Sequence, residues 1–285
     1  IGEGAFCGCG VLRELEIPEK VTAVGSCAFA KSGLQSVALP EGVEKIEYKA
    51  FGGCESLSEA VLPDSIRTIS NSAFSDCISL SEIEIPPNTS YIGCEAFAGS
   101  GLRSAELPDS VAAIGKGAFK NCAYLQSVKL PDGIIVIDDE AFQNCAALES
   151  VVFPDSVKSL GKDLFAGCKS LKSIFIPESV ESLGNLRLTD TGPVNISFGG
   201  SWVQWLSLIA GVPEDESDLW KINIGCDIPS PLGSEEKDKA TEEEKDRLPA
   251  AAAIAAAVVV FIWFIADFAL FKRVRRRTKP AGTFS

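Results

Sequence analysis

The sequence predicts a repeat solenoid of the α/β class, because three apolar residue types recur along it at nearly constant spacing. Phenylalanine stands at positions 6, 29, 51, 74, 97, 119, 142 and 165. Proline stands at 18, 40, 63, 86, 108, 131, 154 and 177, and leucine at 12, 34, 57, 80, 102, 125, 148 and 171. A self-similar period of about 20 to 50 residues is the signature of a chain that winds into stacked coils.

The consensus of one coil reads I-G-x-x-A-F-x-x-C-x-x-L-x-x-I-x-I-P-x-x-V-x-x, and eight coils fit between Ile1 and Ser182. We number them in chain order as residues 1–23, 24–45, 46–68, 69–91, 92–113, 114–136, 137–159 and 160–182. Coils 2 and 5 are one residue short, and both replace the recurring cysteine by a Ser-Gly pair. This coincidence predicts that one turn is rebuilt in the same way twice.

The L-x-x-I-x-I segment predicts a short strand in each coil, since its last three residues alternate as strand side chains do. In coil 6, Leu125, Val128 and Leu130 are expected to point inward and Lys129 outward. The proline that follows has no N–H to donate, so it ends the strand. The V-x-x-I-G segment predicts a second short extended piece.

The A-F-x-x-C segment predicts one helical or 3₁₀ turn whose phenylalanine and cysteine point inward. One coil cannot bury its own apolar side, so stacking is expected to align these positions into continuous columns. Strands about 4.8 Å apart would make eight coils roughly 38 Å long. The glycines of the I-G pairs are attributed to turns.

Six of the ten cysteines occupy the column position, namely Cys9, Cys54, Cys77, Cys122, Cys145 and Cys168. We expect them to be buried thiols that fill space as small apolar side chains. Coil spacing places their Cα atoms within disulfide range, but the parallel Cβ directions of a column suit a bridge poorly. The sequence does not decide the pairing of the off-column residues Cys7, Cys27, Cys94 and Cys226.

The recurring A-F-x-x-C and L-x-x-I-x-I-P blocks, as at residues 73–77 and 80–86, resemble those of leucine-rich repeat proteins. The subtype they resemble is the cysteine-containing BspA-like, or Treponema-type, class, and the resemblance covers about residues 1–182. It implies a right-handed superhelix with a parallel sheet on its concave face. It also implies attachment to proteins or extracellular matrix at a cell surface.

The charge and composition exclude several classes of function. A net charge of −13 and a pI near 4.6 argue against nucleic-acid binding, which needs a basic surface. The absence of histidine excludes a Ser-His-Asp triad and a histidine-ligated metal within this sequence. We therefore predict no enzymatic activity, no cofactor and no metal site.

The outward strand positions form the predicted ligand-binding face. Its residues are Glu82, Glu84, Glu106, Lys129, Val152 and Phe175. The paired carboxylates alternate along one strand, so we interpret them as solvated neighbours rather than as a catalytic pair. An outward Phe175 would offer an aromatic anchor to a protein partner, and the alternative is that it packs under the C-terminal cap.

The repeat period fades after coil 8, and the remaining sequence divides into four segments by composition. Residues 183–233 contain Trp202, Trp205 and Trp220 and are predicted to form a cap over the last coil. The alternative is an aromatic ligand patch or a membrane-surface segment. Residues 234–249 are charged and predict a solvated acidic stalk.

Residues 250–271 are apolar except for Asp267 and predict a transmembrane helix. At 1.5 Å per residue they reach about 33 Å, enough for a hydrocarbon core of about 30 Å. A buried core helix is the less favoured alternative. The basic segment 272–285 favours a cytoplasmic tail and therefore places the coils outside the membrane. Asn88 and Asn195 begin glycosylation sequons, which agrees with that orientation.

These observations predict a single-pass, membrane-anchored, non-enzymatic protein that binds a protein or matrix ligand at the cell surface. A tail-anchored scaffold with the repeats in the cytosol is the alternative, and an enzyme domain upstream of the coils is a third hypothesis. The sequence has no methionine, and Ile1 opens a repeat directly, so we expect further coils or a cap upstream.

Overall fold

The computed structural model describes residues 1–184, 188, 190–209 and 223–224. The elements in chain order are β1 (Ser36–Ala38), β2 (Lys45–Ile46), β3 (Glu59–Val61), β4 (Thr68–Ile69), β5 (Tyr91–Ile92), β6 (Ser104–Glu106), β7 (Ala113–Ile114), β8 (Ser127–Lys129), β9 (Val136–Ile137), β10 (Ser150–Val152), β11 (Ser159–Leu160), β12 (Ser173–Ile176), β13 (Ser182–Leu183), β14 (Asn195–Phe198), α1 (Trp202–Ile209) and β15 (Asn223–Ile224). All of them belong to one compact unit, Ile1–Ile228.

The V-x-x-I-G segments build the more continuous of the two strand rows. Seven strands, in the order β13-β11-β9-β7-β5-β4-β2, form one sheet within the described residues. Each pair is parallel and in register, so that Ile69 lies opposite Ile92 and Ile114 opposite Ile137. The prediction of a second extended piece is confirmed. Each strand pairs with the strand one coil away along the chain, and this repeated pairing produces the solenoid.

The L-x-x-I-x-I segments form a second row that is interrupted. Its strands group as β1-β3, β6-β8 and β10-β12-β14-β15 in the described part of the chain. The prediction of a strand in each coil is wrong for coils 1 and 4, whose segments form none. Beyond Ser182 the row continues, since β14 pairs in parallel with β12 and β15 with β14.

The phenylalanines form a single interior file, as predicted. Neighbouring rings from Phe6 to Phe165 stack with centroids 5.2 to 6.0 Å apart and planes within 13° of parallel. Seven of these eight rings are almost completely buried. Offset-stacked rings at this separation attract one another beyond their burial of apolar area. The file therefore fixes the register between coils as well as filling the core.

The A-F-x-x-C segment is a series of turns, so the predicted helical or 3₁₀ turn is wrong. Two residues four positions apart adopt left-handed φ angles in each coil, as with Ser72 (55°) and Asp76 (56°) in coil 4. These angles interrupt a right-handed helix. They also direct alternate N–H groups along the stack, since Ala73 donates to Ser70 O within its coil while Phe74 donates to Ala96 O of the next.

The second left-handed position has a clear sequence preference. It is Gly, Asn or Asp in each of coils 1 to 8 except coil 2, which has Lys31. These are the residue types that adopt a left-handed conformation most readily. The sequence therefore encodes this turn, although the A-F-x-x-C pattern alone did not indicate it.

Of the six column cysteines, Cys9 is a free thiol that is only half-buried, so its predicted burial is wrong. The other five are buried free thiols, as predicted, namely Cys54, Cys77, Cys122, Cys145 and Cys168. They are not only space-filling, because each thiol donates to the phenylalanine carbonyl of the coil before it. Cys122 Sγ lies 3.1 Å from Phe97 O, and Cys145 Sγ lies 3.1 Å from Phe119 O. Each thiol thus satisfies a carbonyl that the turn leaves inside the core.

The two short coils are rebuilt alike, as predicted. Ser32 Oγ lies 3.4 Å from Cys54 Sγ, and Ser100 Oγ lies 3.3 Å from Cys122 Sγ. The glycine after each serine has no room for a side chain, because a Cβ on Gly101 would collide with the carbonyl oxygen of Ile78. Deletion of one residue brings the backbone of each short coil close to that of the preceding coil, and only glycine permits that approach.

The glycines of the I-G pairs serve close approach rather than turn formation. A Cβ on Gly93 would lie 2.6 Å from the backbone nitrogen of Asn71, although Gly93 has no left-handed φ angle. The attribution of these glycines to turns is therefore corrected at this position.

The residues after coil 8 add to the core where the structure describes them. Trp205 is fully buried in α1, and its ring centroid lies 5.4 Å from that of Phe198. This tryptophan therefore belongs to the apolar interior. The limits of the predicted cap stay a prediction, since residues 210–222 and 225–233 lie outside the described residues.

No helix in the described part of the chain combines the length and the apolar character needed to cross a bilayer. The predicted stalk at 234–249, the predicted span at 250–271 and the predicted tail at 272–285 all lie outside the described residues.

Replacing Phe119 by alanine is expected to lower the free energy of unfolding by about 3 to 5 kcal/mol, because it leaves a cavity in the ring file. Denaturant unfolding followed by circular dichroism measures the loss. The matched control is Tyr124→Ala in the same coil, where the ring is 62% exposed and the cost should stay within about 0.5 kcal/mol. Equal costs at the two positions would contradict the assignment of the file as the core.

The stability of the fold is expected to fall in alkaline solution. Burial raises the pKa of Cys122 from its ordinary value of 9.0 to about 11 and that of Cys168 to about 12. The folded state thus favours the protonated thiol. The resulting stabilisation is complete below pH 9.0 and disappears as the pH rises through these folded-state values.

Unfolding measured between neutral and strongly alkaline pH checks this expectation in the wild type and in Cys122→Ala. The variant should show a shallower decline above pH 9.0, since one titrating group is gone. Identical slopes for the two proteins would refute the contribution of this thiol.

Candidate functional site

The outward residues of coils 3 to 6 line an open groove of about 1500 Å³ on the L-x-x-I-x-I row. Four of the six predicted ligand-binding residues line it, namely Glu82, Glu84, Glu106 and Lys129. The strands position these side chains, because every second residue of a strand points away from the core. The structure thus brings together the acidic part of the predicted face.

The groove is strongly acidic. Its carboxylates are Glu59, Asp64, Glu82, Glu84, Glu106, Asp109 and Asp132. Among the described lining residues Lys129 alone is basic, and this residue of coil 6 forms an ion pair with Glu106 of the adjacent coil 5. This hydrogen bond raises the pKa of Lys129. Because the lysine is already paired, it leaves most of the negative charge uncompensated.

The floor of the groove contains an unpaired stretch of backbone. No hydrogen bond joins the N–H or carbonyl groups of residues 82–84 to another described residue. The stretch lies between β3 of coil 3 and β6 of coil 5, and neither pairs with it. The residue just before the stretch is still paired, because Arg103 N donates to Ser81 O at 3.0 Å.

We attribute this opening of the sheet to like charges, which do not lie opposite one another at its other breaks, at coil 1 and between β8 and β10. By the repeat spacing Glu82 is the counterpart of Glu59 in coil 3, and Glu84 is the counterpart of Glu106 in coil 5. All four side chains are exposed. Like charges directly opposite one another destabilise a strand pair. Pro87, which lines the groove just after this stretch, also lacks an N–H group to donate.

Within the described residues no group of three or more potential ligands converges closely enough to hold a metal ion. The exposed carboxylates instead form a broad acidic surface.

The two remaining predicted face residues lie outside the groove. Val152 is 65% exposed at the end of β10. Phe175 lies beside it in β12 and is half-buried. Its ring lies next to Gly199, where an added Cβ would be 3.3 Å from Cζ of Phe175. Phe175 therefore neither projects freely nor disappears into the core.

The two sequon asparagines are both exposed. Asn88 Nδ2 donates to Asp64 O at 2.8 Å, and its amide group has a second N–H that this bond does not use. Asn195 is the first residue of β14. Glycosylation of either residue stays a prediction.

The family model described as "BspA type Leucine rich repeat region" matches residues 1–122 and 90–202, with six copies. The chain belongs to this BspA-type leucine-rich repeat family. The resemblance drawn from the A-F-x-x-C and L-x-x-I-x-I-P blocks is thereby confirmed. No curated protein matches the sequence.

Several solved structures of leucine-rich repeat proteins are similar to this BspA-type chain. A leucine-rich repeat protein of T. pallidum is 33% identical, covers 60% of this chain and 70% of its own, and has a TM-score of 0.48. A leucine-rich cell surface protein of Faecalibacterium prausnitzii A2-165 is 24% identical, with coverage of 73% and 85% and a TM-score of 0.44. The pneumococcal vaccine antigen PcpA is 17% identical, with coverage of 70% and 70% and a TM-score of 0.44.

The predicted face omitted Glu59, and sequence reasoning missed three further groove carboxylates of this BspA-type chain, Asp64, Asp109 and Asp132. A signal for them exists, because each follows the strand-ending proline of its coil. Their side chains are exposed and line one part of the groove in coils 3, 5 and 6. The repeated Pro-Asp pair therefore adds a third row of negative charge beside the two rows of outward glutamates.

Exchanging the outward pair of coil 4 for that of coil 6 should close the opening in the sheet. The double variant Glu82→Ser with Glu84→Lys removes two repulsions and places a lysine beside Glu106. We expect strand pairing at residues 82–84 and a gain of roughly 0.2 to 1 kcal/mol in unfolding free energy. Slower hydrogen exchange of the Ile83 amide measures the new pairing.

The reverse exchange in coil 6, Ser127→Glu with Lys129→Glu, is the matched control. It should separate β6 from β8 and speed the exchange of the Leu107 amide, which donates to Lys129 O at 3.1 Å. Unchanged exchange in both double variants would contradict the electrostatic explanation.

Proposed function

We propose that this chain is a non-enzymatic protein-binding protein of the cell surface, and that its L-x-x-I-x-I face contacts the partner. The observation that carries the proposal is the large acidic groove of about 1500 Å³ beside exposed apolar side chains. Val61 and Val152 on that face are 53% and 65% exposed. Neither the Phe file nor the seven-stranded sheet needs these outward residues, so they are free to contact a ligand.

The combination of charge and apolar area fits a protein ligand. Protein interfaces combine apolar contacts that supply binding energy with charged groups that steer association and select partners. On this face the acidic groove occupies coils 3 to 6, and Val152 and half-buried Phe175 follow in coils 7 and 8. A partner that contacts both regions would meet charge selection at one end and apolar contact at the other.

The proposal includes anchoring by residues 250–271, with the repeats outside the cell and the basic segment 272–285 in the cytoplasm. Its support is the composition of these segments, because 22 residues with one charge precede a cluster of lysine and arginine. The competing assignment, a tail-anchored scaffold with cytosolic repeats, keeps the same span and reverses the side on which the repeats lie.

One experiment on intact cells tests the binding face and the orientation together. A photo-activatable residue is placed at position 152 on the face, and the matched control carries it at Val136, which is 38% exposed on the seven-stranded sheet. After illumination, half of the cells receive protease before lysis. We expect a covalent adduct to a partner protein from position 152 only, and we expect protease to degrade it.

Adducts of equal yield from both positions would overturn the face assignment. An adduct from position 152 that survives protease on intact cells would establish the cytosolic alternative instead.

A further inference from the structure

We propose that the open stretch of sheet at residues 82–84 is the docking site for an extended, basic peptide segment of the partner, whose alternate lysine or arginine side chains reach Glu82 and Glu84. This inference rests on the proposed function and names the chemistry of the ligand. It concerns one part of the face, the groove of coils 3 to 6.

The first argument is the unpartnered backbone. The peptide groups of residues 82–84 have no hydrogen-bond partner among the described residues, although Ile83 between the two glutamates packs against the core. The inward side of this stretch is thus held in place while its polar backbone stays unsatisfied. A ligand that contacts the outward glutamates of this stretch therefore breaks no strand pairing.

The second argument is charge complementarity. Seven carboxylates face the groove, and Lys129 is already paired with Glu106. Repulsion between the aligned glutamates destabilises the unoccupied groove. A cationic ligand relieves that repulsion, whereas an anionic or neutral segment does not. A basic partner therefore gains more from this site than its own contacts alone provide.

The third argument is spacing. Glu82 and Glu84 are two residues apart on one side of an extended chain, so their Cα atoms lie roughly 6.6 to 6.8 Å apart. Alternate residues of an extended ligand repeat at the same distance. Successive coils repeat at about 4.8 Å instead, so a ligand that runs along the coil axis would not match. The geometry therefore favours a peptide parallel to the 82–84 stretch, with basic side chains at every second position.

Fluorescence anisotropy with the purified full chain tests the inference. The probe is a labelled peptide of alternating lysine and serine, and a peptide of the same composition with its lysines in one block is the spacing control. We expect the alternating peptide to bind at least about fivefold more tightly than the block peptide, and its affinity to fall as salt screens the carboxylates.

The decisive variant is Glu82→Gln with Glu84→Gln, which removes the charge and keeps the shape. We expect it to weaken binding of the alternating peptide about tenfold or more. The matched control, Glu41→Gln with Glu44→Gln, changes two exposed carboxylates outside the groove and should change affinity less than about twofold. Circular dichroism melting of both variants establishes that each remains folded.

Equal losses in the two double variants would overturn the inference, since the attraction would then be a general effect of the acidic chain. Equal binding of the two peptides would overturn it as well, because spacing would not matter. If the photo-adduct from position 152 forms while the alternating peptide fails to bind, this inference fails and the proposed function stands. Failure of both experiments removes both.

Discussion

The constant offset between stacked coils is the constraint on which the other features depend. It places each phenylalanine ring over the next, aligns the short strands and brings each column thiol within reach of a carbonyl in the preceding coil. No single coil has an interior of its own, so the apolar area is buried only between neighbours. A change in coil length is therefore tolerated only where the turn can adopt another conformation. The Ser-Gly pairs of coils 2 and 5 provide such a turn.

The same constraint shapes the candidate site. Register copies the outward residues of one coil beside those of the next, so any charge repeated at that position becomes a row of like charges. Glu59 and Glu82 form one such neighbouring pair, and Glu84 and Glu106 form another. The core holds these coils together through Phe51, Phe74 and Phe97, while the outer segment at residues 82–84 stays unpaired. We interpret this opening as a conflict between packing inside and repulsion outside.

The sequence predicted the features that depend on repetition. The Phe file, the second strand row and the burial of five column cysteines all follow from side chains that recur at one offset, and such periodicity is visible without coordinates. The left-handed turn residues were missed because A-F-x-x-C suits a helical turn equally well, and Asp76 or Asn121 carries the signal only when the coils are compared. The unpaired stretch at 82–84 was missed because it depends on charges in neighbouring coils rather than on its own pattern.

The spacing of the shortened coils has a consequence for the history of the array. Coil 2 and coil 5 have the same deletion, the same serine substitution and the same contact to the thiol of the following coil. They stand three coils apart, and the coils after them, 3 and 4 in one case and 6 to 8 in the other, are of full length. Duplication of a three-coil block in an ancestral gene would leave this trace. Later gain or loss of such blocks would change the length of the solenoid. Each coil would still pack against the same type of neighbouring coil as before.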